Sequence, residues 1–274
     1  MKIVSKQVIV DYAGIRIVKL CILALEISQK ALAGQFVVVM ASEKGERIPL
    51  TVVAIDPLAK TITLIFQEIG FTTKALGRLN VGDNLSALVG PLGQATVIKY
   101  YGKVILIGGG VGIAEIYPVA KSLQEAGNNI TVIIGAKNKE FLILKDDLEK
   151  IADKIYSVTD DGSSGLKGFT TLVLEDLLRE EKYDLVYAVG PIPMMRKVSA
   201  ISRLSNTKAI VSLNALMVDA TGMCGCCRVT VDGEVKFSCV DGPEFDAEKV
   251  DWEELAKRNN MYADKEKHVC KINI

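Results

Sequence analysis

The run Val104-Ile105-Leu106-Ile107, followed at once by Gly108-Gly109-Gly110-Val111-Gly112, limits what this chain can fold into more than any other stretch. A continuous apolar run of this kind reads as a strand buried on both faces, as in a parallel sheet covered by helices. The glycines after it let the backbone turn tightly and come close to a ligand. A helical pattern from Ile113 to Gly127 follows, so the free amides of its first turn aim back over the loop. Strand and helix then keep alternating: Ile130–Gly135 and Lys145–Asp153, Ile155–Thr159 and Thr170–Glu181, Leu185–Gly190 and Met194–Ser205. Ala209–Leu213 adds a last strand. This succession predicts a doubly wound parallel sheet over residues 99–213.

Residues 1–98 have a different texture. The opening from Met1 to Val10 alternates like a strand. Ile15–Ile22, Gly34–Met40, Leu50–Ile55 and Thr61–Phe66 are short runs rich in β-branched residues, spaced as in an antiparallel β barrel. One short helix is expected at Thr72–Gly77, and Gly90-Pro91-Leu92-Gly93 punctuates the end.

The remainder, residues 214–274, carries the chemistry. Asp219-Ala220-Thr221-Gly222-Met223-Cys224-Gly225-Cys226-Cys227 packs four of the six cysteines into one loop or its edge with Cys239, which a hairpin turning at Asp232-Gly233 brings back. The spacing is D-x₄-C-x₂-C-x₁₁-C. Plant-type [2Fe–2S] sites use C-x₄-C-x₂-C and a distant cysteine, and a carboxylate in the first place is a harder ligand that still binds iron. Asp219, Cys224, Cys227 and Cys239 are therefore the candidate ligands, with Cys226 a bystander. Zinc and a redox dithiol are the competing readings. Zinc needs four ligands around one ion, and the only histidine, His268, lies far along the tail. Cys21 reads as an inert core thiol; Cys270 has no evident role.

Thirty-three basic residues balance 33 acidic ones, which gives no support for nucleic-acid binding. No run of 18 apolar residues suggests a membrane span, and clustered cysteines in a chain this size point to metal chemistry in a reducing cytoplasm. Gly109, Gly110, Val111 and Gly112 are the candidate nucleotide loop. Asp160 and Asp161, and then Gly190, Pro191 and Met194, follow later strands at their carboxyl ends, where such sheets bind ligands. Turn chemistry alone would also account for both segments. No acidic residue closes the second strand, so NADH and NADPH are not distinguished there; Lys137 reads as a surface lysine. Arg47-Ile48-Pro49-Leu50-Thr51 enters a barrel strand with groups able to hold a phosphate and a flat ring, or simply with a surface arginine.

Taken together these segments resemble the ferredoxin–NADP reductase superfamily, and the likeness covers nearly the whole chain. Within it the sequence is similar to two families of iron–sulfur flavoprotein subunits. One is the electron-transfer subunit of dihydroorotate dehydrogenase. The other is the small subunit of NADH-dependent reduced ferredoxin:NADP oxidoreductase, also known as sulfide dehydrogenase. The resemblance implies FAD held by Arg47, Pro49, Leu50 and Thr51, and by Gln67, Gly70, Thr72 and Thr73 at a helix start. It implies NAD(H) over Gly109–Ile113, Asp160–Gly162 and Gly190–Met194, and a [2Fe–2S] cluster on the cysteine loop. Asp219 in place of the first cysteine, with Met217-Val218 before it and Val240-Asp241-Gly242-Pro243 after Cys239, favours the ferredoxin:NADP type. The expected activity is electron transfer between NAD(H), FAD and the cluster. The expected partner is a larger glutamate-synthase-like subunit with FAD and [4Fe–4S] clusters that serves ferredoxin by bifurcation. Dihydroorotate oxidation is the alternative, and a zinc-stabilised interaction module without redox chemistry is the reading from another class.

Overall fold

The computed structural model describes residues 1–262 and Lys265. His268 and Cys270 lie outside the described residues. Strands β1 (Ile3–Tyr12), β2 (Ile15–Leu23), β5 (Ala54–Asp56) and β6 (Thr61–Gln67) form one antiparallel sheet in the order β1-β2-β6-β5. Strands β3 (Phe36–Met40), β4 (Ile48–Thr51) and β7 (Ala87–Leu92) form a second, β4-β3-β7. Alternate residues face inward: Val18, Leu20 and Ile22 of β2 meet Val37 and Val39 of β3 in one core. Two short helices close the barrel, α1 (Leu25–Lys30) and α2 (Phe71–Arg78). Leu76 of α2 is fully buried in that core.

The expected single strand Leu50–Ile55 is two strands in two sheets. β4 pairs with β3 and β5 with β6, so the chain crosses between sheets at Val52-Val53. Both valines are buried, Val52 in the barrel core and Val53 against the next domain. An apolar run cannot show that its members serve different cores. Two further expectations change. Gly90-Pro91-Leu92 belongs to β7 rather than to a terminating turn. Cys21 is only half-buried, because the inward places on β2 fall to its even-numbered neighbours Leu20 and Ile22. Helix α1 had no clear periodicity to announce it.

The second unit is the doubly wound sheet. Its order is β11 (Leu166–Lys167), β10 (Lys154–Thr159), β9 (Asn129–Ala136), β8 (Lys103–Gly109), β12 (Leu185–Val189), β13 (Ala209–Ser212) and β16 (Glu244–Asp246). All pair in parallel except β16, which runs antiparallel to β13. Val104 and Leu106 of β8 face α3 (Gly112–Glu125), while Ile105 and Ile107 face α5 (Thr170–Glu180) and α6 (Ile192–Leu204). Helix α4 (Lys145–Glu149) stops short of its expected end at Asp153.

The cysteine segment folds as the expected hairpin, β14 (Arg228–Val231) and β15 (Glu234–Phe237). Asp232 and Gly233 both take positive φ, 55° and 77°, as a two-residue hairpin turn of this hand requires. Helix α7 (Trp252–Asn259) follows, its first amides capped by the Asp251 carboxylate, which accepts from Glu253 N at 3.1 Å and Glu254 N at 2.9 Å. The three units are not independent in packing. Phe36 and Val38, on the outer face of barrel strand β3, share one core with Cys227, Val229, Cys239 and Phe245.

Candidate functional site

The chain leaves β8 towards β9 on one side and later returns to β12 on the other. Loops at the carboxyl ends of these two neighbours therefore part, which is where open α/β sheets bind ligands. A cleft of about 920 Å³ opens there, between the sheet and the barrel. The α/β side supplies Gly109–Gly112, Asp160, and Gly190, Pro191 and Met194; the barrel supplies Gln67 with Ile15 and Ile17. The glycines have separate reasons. A Cβ on Gly112 would stand 2.5 Å from the Val189 carbonyl oxygen, so its absence lets α3 pack on β12. Gly110 has φ 59° and a Cβ there would meet nothing within 4 Å, so it opens onto the cleft. That open backbone at a helix start fits a dinucleotide pyrophosphate. Asp161 does not line the cleft. Its carboxylate accepts from Ser163 N at 2.9 Å, and Ser163 holds it below the ordinary carboxylate range.

On the barrel side, Thr51 pairs with Phe36 and Pro49 with Val38. Pro49 and Thr51 therefore share the outer face of the barrel, and Arg47 stands exposed just before β4. Leu50 points the other way and packs on the barrel core. At the start of α2, Thr73 Oγ1 accepts from both Ile69 N and Gly70 N at 3.0 Å, and Thr72 Oγ1 donates to Glu46 Oε2 at 2.8 Å. Those hydroxyls shape the helix start. What faces outward is amide, with no acidic residue in the first turn and open space at Gly70. This suits a second phosphate group.

In the cysteine loop the Asp219 carboxylate accepts from Thr221 N at 3.0 Å and Cys224 N at 3.1 Å. The Thr221 amide, more than that of Cys224, holds Asp219 below the ordinary carboxylate range. Cys227 and Cys239 are buried side by side, with Cys239 N donating to Cys227 Sγ at 3.4 Å. Cys224 is exposed at the rim, and Cys226 N donates to its Sγ at 3.5 Å. Burial, then the neighbouring Cys227, pushes the Cys239 thiol up to about 12. Two buried thiols with amides aimed at sulfur suit thiolates compensated by a metal. Among the described residues no three His, Cys, Asp or Glu side chains converge on a single ion position. A two-iron cluster asks less, because its four protein ligands are shared between two irons, whereas zinc takes its ligands around one centre.

Three residues at the site were not singled out by the sequence. Arg258 of α7 donates from Nη2 to the Cys226 carbonyl at 2.9 Å, and its buried Nε has no partner among the described residues. Next to it, Asn259 Nδ2 donates to Asn214 O at 2.6 Å, while its Oδ1 accepts from Leu216 N at 3.2 Å. Glu115, in the first turn of α3, lines the cleft. Its helical position would have allowed it to be found once the glycine loop was fixed; Arg258 lies 32 residues from the Cys226 carbonyl it holds, so nothing in the sequence ties the two together.

Comparison with known proteins agrees with this geometry. Residues 214–251 match the iron–sulfur cluster binding domain of dihydroorotate dehydrogenase B, and residues 106–200 match the oxidoreductase NAD-binding domain. The chain is 50% identical over 241 residues to the dihydroorotate dehydrogenase B (NAD(+)) electron transfer subunit homolog of Thermotoga maritima, covering 88% of this chain and 85% of that one. It is 41% identical over 274 residues to an uncharacterized protein of Clostridium beijerinckii, covering 97% and 91%. A solved structure of NADH-dependent reduced ferredoxin-NADP oxidoreductase, studied for flavin-based electron bifurcation, superposes with a TM-score of 0.91 at 46% identity, covering 98% of this chain and 95% of that one. Ferredoxin-NADP+ reductase from Plasmodium falciparum, at 17% identity and a TM-score of 0.58 over 74% of this chain and 88% of that one, shares the fold. The chain belongs to the family of dihydroorotate dehydrogenase B electron-transfer subunits and their ferredoxin-NADP oxidoreductase relatives, flavin and iron–sulfur oxidoreductases built on the ferredoxin–NADP reductase fold.

Proposed function

We propose that this chain is the NADH-reacting electron-transfer subunit of a larger flavoenzyme. The observation that carries the reading is the cleft at the β8–β12 switch point, closed by the barrel and sharing one core with the cysteine loop. In this reading residues 1–98 hold FAD, residues 99–213 hold NAD(H) and residues 214–274 contain the [2Fe–2S] segment. Arg47, Pro49 and Thr51, with the amides from Gly70 onward, bind and orient FAD; Leu50 supports that face from inside the barrel. Gly109–Gly112, Asp160, Gly190, Pro191 and Met194 place the nicotinamide nucleotide over it. Ile15, Ile17 and Val189 keep the meeting point dry. FAD supplies the exchange between two-electron hydride and single-electron chemistry. Asp219, Cys224, Cys227 and Cys239 hold the cluster, with Cys226 outside the ligand set.

The partner we infer is a larger glutamate-synthase-like subunit with FAD and [4Fe–4S] clusters, through which ferredoxin is served. The solved structure at 46% identity and the aspartate at position 219 support that type. The free thiols fit a cytoplasmic setting, and no helix among the described residues is long and apolar enough to cross a membrane. Dihydroorotate oxidation is the second reading, favoured by the match over residues 214–251. Native purification separates them: a TIM-barrel partner would establish the pyrimidine type, an iron–sulfur flavoprotein the other. For the ligand set, iron content and the electron paramagnetic resonance of reduced Cys226→Ser and Cys227→Ser variants decide. Cys226→Ser should retain the cluster and Cys227→Ser should lose it; the reverse result overturns the assignment.

A further inference from the structure

The nucleotide cleft takes part of its wall from the iron–sulfur segment. Beyond β12 its polar lining side chains are Lys197, Asn214 and Asn259, and the last of these comes from α7. Trp252, Leu255 and Asn259 stand at i, i+3 and i+7, so they share one stripe of that helix. Leu255 is 1% exposed in the core that α7 shares with the cysteine hairpin, and Trp252 Nε1 donates to Ala247 O at 3.1 Å. Seating those two leaves the third, a half-buried amide, at the cleft. Two backbone bonds hold it there: Nδ2 donates to Asn214 O at 2.6 Å, and Oδ1 accepts from Leu216 N at 3.2 Å. They use one of its two N–H groups and one of its two lone pairs. One donor and one acceptor remain, side by side on a fixed amide.

The place of this amide says what it meets. Along the carboxyl edge of the sheet the lining runs from Asp160 after β10 and Lys137 after β9, through Gly110 after β8, to Pro191 after β12 and Asn214 after β13. With a pyrophosphate at Gly110, the two ends of a dinucleotide lie to either side. Leu213 and Ala215, which flank Asn214, share a core with Phe36 and Val38 of β3. Those two pair with Thr51 and Pro49 of the proposed flavin face. The end at Asn214 and Asn259 is therefore the flavin end, and the ring that must lie there is nicotinamide. Its carboxamide offers the complementary pair, a carbonyl acceptor and an NH₂ donor. We propose that Asn259 binds the nicotinamide carboxamide, so that the iron–sulfur segment completes the nucleotide site. The proposal rests on the nucleotide and flavin reading of the cleft. Nδ2 donates to the carboxamide oxygen and Oδ1 accepts from its NH₂, which fixes the face that the ring turns to the flavin. The adjacent Arg258 holds the Cys226 carbonyl, so one turn of α7 carries a contact to each site.

The test uses the complete flavin- and iron-loaded protein in its oxidised state, with which oxidised nucleotides do not react. Calorimetric titration measures affinity for NAD⁺, for its acetylpyridine analogue, in which a methyl ketone replaces the carboxamide, and for ADP-ribose, which lacks the ring. One net hydrogen bond is worth about fivefold to tenfold in affinity. The wild-type protein should prefer NAD⁺ to the methyl ketone by about that factor. Asn259→Ala should erase the preference and leave ADP-ribose affinity unchanged. Asn259→Asp keeps an acceptor for the NH₂ and for Leu216 N, and should preserve it. If Asn259 is only a clamp on the 214–216 backbone, Asn259→Ala weakens ADP-ribose and NAD⁺ alike, and the proposal is overturned. Equal wild-type affinity for NAD⁺ and the methyl ketone also overturns it, a comparison that does not depend on any variant folding. Wild-type protein that binds none of the ligands would remove the nucleotide reading itself; ADP-ribose binding without the NAD⁺ preference removes the assignment of Asn259 alone.

Discussion

Arg258 reaches the cysteine loop from outside the segment that resembles a cluster-binding domain, since that match ends at residue 251. Its Nη2 fixes the Cys226 carbonyl, and its positive charge opposes the upward push that burial gives the Cys226 thiol. A guanidinium this close to the proposed cluster stabilises the more negative, reduced state. Arg258→Gln should lower the cluster's reduction potential while keeping iron, and Arg258→Lys should restore part of the difference. Redox titration followed by electron paramagnetic resonance measures it. An unchanged potential in Arg258→Gln would reduce Arg258 to a clamp on the loop backbone. This residue was not legible in the sequence, because its role depends on where α7 docks. Spacing alone makes Asp219 a candidate ligand, and its hydrogen bonds from Thr221 N and Cys224 N show a loop-capping part that spacing did not reveal.

At the level of elements, β8, the glycine loop and α3 could be read directly, since an apolar strand followed by glycines and a periodic helix admits few alternatives. The strand pair β4 and β5 could not, because Val52 and Val53 are equally apolar and bury in different cores. Three-residue β16 has no periodicity to detect, though it extends the sheet past β13. Within the loop the glycines predict different failures. Gly112→Ala places a Cβ 2.5 Å from the Val189 carbonyl oxygen and must push α3 off β12. It should cost about 2 kcal/mol, or roughly 5 °C in Tm for a chain of this size. Gly110→Val adds its side chain to the open cleft and also puts a β-branched residue at φ 59°, which costs some stability of its own. It should leave a folded protein with its flavin, with NADH oxidation by an artificial acceptor sharply reduced. Thermal unfolding beside a turnover assay distinguishes the two. Undiminished NADH oxidation in folded Gly110→Val would mean that the loop is only a tight turn.

On the scale of the whole molecule, the three units meet around half-buried acids as well as an apolar seam. Glu244 comes from β16, Tyr187 from the centre of the parallel sheet, Thr96 from the connection after the barrel, and Glu115 of α3 lines the cleft side. Burial raises the Glu244 carboxyl, and hydrogen bonds from Thr96 and Tyr187 counter it only in part. Glu115 is raised to about 7, also by burial. A carboxyl whose folded pKa lies above its unfolded one contributes most below the unfolded value, and that contribution is lost as pH rises through the folded value. For Glu115 the window therefore runs upward from 4.5 to about 7. Glu115→Gln and Glu244→Gln keep an oxygen to accept hydrogen bonds and remove the charge. Each variant should gain Tm relative to the parent as pH rises from about 5 to about 8, with the double variant gaining most. Matched unfolding curves across that range measure the difference. A parent-to-variant gap that stays constant with pH would mean that both acids are solvated when the protein is folded. The join between the three units would then rest on its apolar contacts.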